Sequence, residues 1–286
     1  MNILVAGASG VIGRSLIPML VREGHNVTGL IRNPEQAALM KKAGASSVQA
    51  DVYDRDALFR ALAEVSPEVV IHQLTSLQFL DLTDNARIRE EGTRNLVDAA
   101  QAVGVRRMIA QSISWAYAPG DGPATENCPL DLEAPAPRLT TVQGVHALES
   151  AAAEMPEHVI LRYGLLYGEG TWYAADGLIT KQVLKGNIPA TDGVSSFVYT
   201  EDAAAAAVLA LDWPPGAYNI VDSEPAVGTE WLRCYADCLG APEPKAKPGV
   251  ARGERGALNA KALRHGWKPR FASWRTGFRY TLQGNE

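Results

Sequence analysis

Ile3-Leu4-Val5-Ala6-Gly7-Ala8-Ser9-Gly10-Val11-Ile12-Gly13-Arg14 is the stretch that decides how this chain is read. Four apolar residues predict a buried strand over 3–6, and an amphipathic run over 11–23 predicts a helix. Between them, Gly7 allows a tight turn, Gly10 lets backbone approach a pyrophosphate, and Gly13 lets helix and strand pack closely. The helix start then offers free N–H groups and a positive dipole end to phosphate. A dinucleotide site is therefore expected at Gly7, Ser9, Gly10, Val11, Ile12 and Gly13.

Further strands are expected over 27–31, 47–50, 69–72, 107–111 and 158–162. Helices are expected between them over 34–43, 54–63 (with Asp54 as cap), 85–103 and 140–154. Strict alternation with nearly continuous apolar strands predicts an α/β fold, a doubly wound parallel sheet with helices on both faces. After Tyr163 the pattern is mixed, with a helix over 178–185, a strand over 196–199 and an alanine-rich helix from Asp202. A strand over 217–221 and helices over 229–238 and 273–282 complete it. The expected division is a dinucleotide-binding domain over 1–165 joined by segment 196–222, with a smaller C-terminal substrate-binding lobe from 166–195 and 223–286. The stretch 116–137 holds five prolines and no helical period, so it reads as a long loop after strand five, where open α/β sheets bind ligands. Segment 243–255 is the most loop-like part of the tail.

The end of strand two separates the two nicotinamide dinucleotides. A free ribose 2′-hydroxyl favours an acid there, but the chain reads Leu30-Ile31-Arg32-Asn33. Arg32, helped by Arg14, suits a 2′-phosphate, so NADP is expected ahead of NAD. Asp51 and Val52, after strand three, are expected at the adenine ring, with helix capping as the competing role for Asp51.

The net charge of −5 and the lack of a basic stripe exclude nucleic acid as an expected partner. No run approaches the roughly 18 apolar residues that span a bilayer, which excludes a membrane partner, and glycines interrupt the opening apolar stretch as no leader peptide would. A cytoplasmic protein is expected. Three cysteines are too few for a disulfide framework; Cys234 and Cys238 share a helix face without a companion ligand, so no metal site is expected.

Several further segments resemble the extended short-chain dehydrogenase/reductases, the NAD-dependent epimerase/dehydratase family. They are Val70-Ile71-His72, Gly92-Thr93-Arg94-Asn95-Leu96, Leu161-Arg162-Tyr163-Gly164 running to Tyr167-Gly168, Phe197-Val198-Tyr199-Thr200-Glu201-Asp202-Ala203 and Gly266-Trp267-Lys268-Pro269. The resemblance implies a Rossmann-type domain and an oxidoreductase acting on a small organic carbonyl or alcohol. It also implies cofactor contacts from Gln73, Leu74 and Thr75, with Tyr163 in the same set, and a homodimer built on helices 85–103 and 140–154.

The family's chemistry uses a tyrosine whose phenol exchanges a proton with the substrate oxygen, and a lysine one helical turn later that lowers the phenol's pKa. The matching positions here are Thr141 and Val145, and no tyrosine in the chain is followed by lysine four residues on. A serine at the end of strand five is expected at Ser112, with Ser114 as neighbour. Tyr117 is the leading replacement acid, ahead of Tyr163 and Tyr173. His72 is expected to be structural and His146 to face solvent. Trp115, Trp172 and Tyr173 are expected to line an aromatic substrate pocket. A cofactor-sensing regulator without turnover is the second functional reading, and sugar or sugar-nucleotide epimerase/dehydratase chemistry the third.

Overall fold

Residues 3–6 are wholly buried in β1 (Asn2–Ala6). There follow α1 (Val11–Arg22), β2 (Asn26–Ile31), α2 (Ala37–Lys42), β3 (Ser46–Gln49), α3 (Arg55–Val65), β4 (Val69–His72), α4 (Leu82–Arg87), α5 (Thr93–Ala102), β5 (Arg107–Ile113), α6 (Arg138–Ala152) and β6 (Glu157–Tyr163). The later elements are β7 (Leu165–Tyr167), α7 (Leu178–Leu184), β8 (Val194–Ser195), β9 (Phe197–Tyr199), α8 (Thr200–Leu209), β10 (Gly216–Ile220), β11 (Ala226–Val227), α9 (Gly228–Leu239), α10 (Ala260–Arg264) and α11 (Trp274–Gln283). This computed structural model describes residues 1–76 and 82–284. Contacts divide the chain into two units: 1–112, 132–161 and 204–218 in the first, and 113–131, 162–203 and 219 onward in the second.

The first unit is built on a seven-stranded sheet in the order β10-β6-β5-β4-β1-β2-β3. The pairings β1–β2, β2–β3, β1–β4 and β4–β5 are parallel, with Ile3 opposite both Val27 and Val69, and Ile71 opposite Ile109. Chain order reverses between β1 and β4, so the switch point of this Rossmann-type sheet lies beyond Ala6 and His72. One sheet face is covered by apolar side chains of α3, α5 and α6, including Leu58, Leu62, Leu96, Val97 and Leu148. Each such side chain contributes about 1.5–3 kcal/mol when buried.

Local chemistry accounts for the differences from the sequence pattern. Asp54 caps α3 as expected, its carboxylate accepting the Ala57 N–H at 3.0 Å. The expected helix over 34–43 opens with a 3-10 turn (Pro34–Gln36), because Pro34 has no N–H to give and Asn33 accepts the Glu35 N–H at 3.0 Å. The expected continuous helix over 85–103 is interrupted by a π-turn (Ile88–Gly92). A methyl group at Gly92 would lie 3.1 Å from the Ile88 side chain and 3.2 Å from Val52, so glycine permits the tight packing there.

The second unit holds two short two-stranded sheets, β7 with β9 (parallel) and β8 with β11 (antiparallel). Its core is aromatic. Phe197 packs edge-on against Tyr173, Trp231 and Phe278 at centroid distances of 5.3, 5.2 and 5.0 Å. Burial of Leu232, Tyr235 and Ala236 on α9, and of Trp274, Gly277 and Phe278 on α11, follows helical spacing. Gly277 lacks the side chain that would collide with the Tyr167 hydroxyl. Among the described residues no helix is long and apolar enough to cross a membrane, and no group of three or more His, Cys, Asp or Glu side chains is arranged to hold a metal. Cys128, Cys234 and Cys238 are free thiols.

Candidate active site

The glycine turn closes through the Gly10 N–H, which donates to Gly7 O at 3.0 Å, and α1 begins through the Arg14 N–H donating to Gly10 O at 3.0 Å. Gly7 has φ +88°, a conformation that an L side chain resists. A methyl there would collide with the Gln73 carbonyl, and one at Gly13 with the carbonyls of Gly7 and Ala8. No side chain caps α1, so the first-turn N–H groups at Val11, Ile12 and Gly13 are left to a ligand. The cradle that side chains would fill is the right shape and polarity for a dinucleotide pyrophosphate.

Around this cradle, Arg32 is exposed, and its guanidinium makes no ion pair among the described residues. Its carbonyl accepts from Gln49 Nε2 at 3.3 Å. Arg14 is tied back instead, its Nε donating to Ser9 O at 2.9 Å. Asp51 Oδ1 accepts the Tyr53 N–H at 3.0 Å in a local turn, and Val52 is buried beside it. At the end of β4 the Gln73 N–H donates to Ala6 O at 2.7 Å, which seats the segment Gln73, Leu74 and Thr75 against the glycine turn. Gln73 is buried, and its side-chain amide has no hydrogen-bond partner among the described residues.

His72 shapes that segment. Its Nδ1 accepts the Leu74 N–H at 3.2 Å, so the proton sits on Nε2, which donates to Thr93 Oγ1 at 2.8 Å. Complete burial, helped by the positive charge of Arg89, holds its pKa down to about 4. The expected structural role is what the geometry shows. His146 is exposed, also as expected.

The catalytic expectations fare differently. Thr141 and Val145 lie one turn apart on the buried face of α6, followed by Glu149. The Ser112 hydroxyl donates to Glu149 Oε1 at 2.6 Å, and both side chains are buried. The Ser112 hydroxyl is thus engaged by Glu149 within the first unit. Arg89, in the π-turn, is also buried; burial lowers its pKa to about 10, and the charge of Glu149 opposes that fall. Neither Arg89 nor Glu149 was expected from the sequence. Arg89 carries a readable signal, since it falls on the apolar stripe with Ala86, Thr93 and Leu96.

In the second unit Tyr117 is only 1% exposed. Its hydroxyl donates to Asn219 Oδ1 at 2.6 Å and accepts from Arg162 Nη1 at 2.9 Å, with the guanidinium over its ring. The expected catalytic acid is therefore buried with its phenol paired on both sides. Tyr163 is buried, its hydroxyl reaching Ala203 O at 3.4 Å. Tyr173 sits inside the aromatic core, burial pushes its phenol upward, and half-buried Trp172 packs on the same cluster. These two replace the expected pocket lining with lobe packing. Trp115 is different: it is 37% exposed and lines a cavity of about 50 Å³ together with Ser114, Leu165, Ser195, Glu254 and Gly256.

Comparisons with known proteins agree with this architecture. The model of the NAD-dependent epimerase/dehydratase family matches residues 3–221. A 3-diazoavenalumate denitrifying reductase from a Streptomyces species is 41% identical over 304 aligned residues, covering 97% of this chain and 99% of that protein. The UDP-glucose 4-epimerase of Thermus thermophilus, solved with NAD, superposes with a TM-score of 0.76 at 27% identity, covering 99% of this chain and 98% of the other. The UDP-glucose 4-epimerase of Thermotoga maritima, solved with UDP-glucose, shares the fold at a TM-score of 0.78 and 22% identity, with 99% and 98% covered. With a Rossmann-type sheet, a glycine cradle and a family match over most of its length, the chain belongs to the NAD-dependent epimerase/dehydratase family and is an NAD-binding enzyme of the oxidoreductase and epimerase class.

Proposed function

We propose that this chain is a reductase that passes hydride from a reduced nicotinamide dinucleotide to an aryl carbon bearing a diazonium group, with loss of dinitrogen. The observation that carries the reading is the 41% identity, across nearly the full length of both chains, to a denitrifying reductase whose named substrate is a diazo compound. Chemistry supports it. Hydride added to a carbonyl leaves an alkoxide that needs a proton, which is why the family's tyrosine and lysine matter. Thr141 and Val145 stand at those positions, and the Tyr117 phenol is already paired inside the core. Hydride that displaces dinitrogen needs no such donor: the C–N bond breaks with its electron pair leaving on nitrogen, the hydride pair forms the C–H bond, and no oxygen acquires charge. The same missing pair speaks against sugar-nucleotide epimerisation, in which a substrate hydroxyl must lose a proton.

The cofactor would lie along Gly7, Ser9, Gly10, Val11, Ile12 and Gly13, with Asp51 and Val52 at its adenine and Gln73, Leu74 and Thr75 beyond the phosphates; bound, it supplies the hydride. Arg32, unpaired at the end of β2 where no acid stands, favours NADPH over NADH. The test is turnover of an arenediazonium panel with NADPH deuterated at the transferring carbon. Deuterium on the carbon that lost nitrogen is expected; turnover of carbonyl compounds with none of the diazonium salts would overturn the reading.

A further inference from the structure

We infer that Cys234 and Cys238 on α9 form a binding site for one soft monovalent cation of the Cu(I) type, held between the two sulfurs as a linear dithiolate. The inference does not rest on the reductase reading. Spacing is the first reason. Both cysteines lie inside α9 (Gly228–Leu239), four residues apart. Side chains so spaced share a helix face, with Cβ atoms about 5–6 Å apart. Here the two thiols turn toward each other and are hydrogen-bonded to one another. A linear sulfur–metal–sulfur unit spans roughly 4–5 Å, at about 2.3 Å for each metal–sulfur bond. Small rotations about the two Cα–Cβ bonds open the pair to that span. A disulfide would need Cβ atoms about 3.5–4.5 Å apart, closer than an intact helix brings them. Both thiols are free and half-buried, at the edge of the aromatic core where Trp231 and Leu239 also pack.

Ligand number selects the metal. Among the described residues no His, Asp or Glu joins the two thiols to make a group of three. Structural zinc takes four ligands, and calcium or magnesium takes a shell of oxygens. Soft sulfur ligands select Cu(I), for which two are sufficient. Charge agrees as well. Two thiolates around a monovalent cation leave one net negative charge. Arg279 on α11 is exposed and acts on both sulfurs, and it makes no ion pair among the described residues. Arg275, which also acts on Cys234, is already paired with Glu224 and Glu230. Burial pushes the Cys238 thiol up to about 11 and raises that of Cys234; Asp237 works in the same direction and Arg279 against it. The free thiols therefore keep their protons at neutral pH, and the cation takes the place of both, releasing two protons with no change of oxidation state. Cys128 differs: its neighbour is Thr125 Oγ1 at 3.9 Å, not a second thiol.

The experiment uses the full chain without oxygen, with Cu(I) competed against a coloured chelator and Ag(I) as a soft cation without redox chemistry. After one equivalent of either ion, the protein is alkylated with iodoacetamide and the labelled cysteines are located by mass spectrometry. Cys234 and Cys238 are expected to be shielded together while Cys128 stays open. Cys234→Ala and Cys238→Ala are each expected to lose about a hundredfold or more in Cu(I) affinity, since two linked thiols bind that much more tightly than one. Cys128→Ala is expected to bind as wild type, and Arg279→Gln to lose about two- to fivefold. Ag(I) is expected to raise the Tm of wild type and not that of either single variant of the pair. Equal shielding of all three cysteines, or equal affinity in the three alanine variants, would show an adventitious thiol contact and overturn the site. The alkylation pattern is read on wild type, so it decides the matter even where a variant fails to fold.

Discussion

The Ser112 hydroxyl donates to the Glu149 carboxylate across 2.6 Å inside the first unit, and the buried Arg89 supplies the charge that opposes Glu149. A family position expected to serve chemistry is here part of a buried polar network. Removing one member should therefore cost stability before it costs cofactor binding. Glu149→Ala and Ser112→Ala are each expected to lose about 1–3 kcal/mol, because each leaves a buried polar partner without its hydrogen bond. Urea unfolding checks both values, and NADPH titration of the surviving folded variants is expected to match wild type.

Arg32 is predicted to decide the cofactor. Arg32→Ala is expected to weaken NADPH about tenfold or more while leaving NADH unchanged, since only the former carries the phosphate that a guanidinium pairs with. Calorimetric titration of the four nicotinamide dinucleotides reads this directly. An equal loss for both reduced forms would assign Arg32 to the surface and leave the phosphorylated cofactor without its ligand.

Tyr117 separates packing from catalysis. Its phenol bridges Asn219 and Arg162, so Tyr117→Phe is expected to cost about 1–3 kcal/mol of stability and to keep turnover near the wild-type rate. Loss of turnover in a folded variant with normal cofactor affinity would instead restore it as the reaction's acid.

Stability is expected to fall as pH rises, through Asp222. Its carboxyl is buried, neither oxygen has a hydrogen-bond partner of good geometry, and the nearby N–H groups of Trp274 and Glu224 only partly oppose the effect of burial, so its pKa is pushed up to about 8. An unfolded aspartate titrates near about 4. The folded carboxyl therefore holds its proton where the unfolded one has released it. The stability it contributes is complete below about pH 4 and is lost as pH rises to about 8. Asp222→Asn is expected to flatten this part of a Tm-against-pH curve and to raise Tm at neutral pH. A wild-type curve already flat between those limits would remove Asp222 from the account.

What the sequence determined by itself is whatever depends on local period and local backbone geometry. The alternation of apolar strands with amphipathic helices identified the parallel sheet, and Gly7, Gly10 and Gly13 between a strand and a helix marked the tight turn that opens α1. Thr141 and Val145, at the positions where the resemblance expects tyrosine and lysine, were legible in the same way. Each of these rests on residues a few positions apart, whose relation the chain's own geometry sets. Tertiary structure alone decided which polar side chains are consumed by one another. Ser112 meets Glu149, Tyr117 meets Asn219, and Glu254 reaches the cavity of Trp115, all across long stretches of chain. A tyrosine or serine at the right position reads as available in a sequence. Whether its hydroxyl is free depends on what long-range packing brings within about 3 Å. The same physics broke the helix over 85–103 at its π-turn and folded Trp172 and Tyr173 into an aromatic core that local periodicity could not distinguish from a pocket wall.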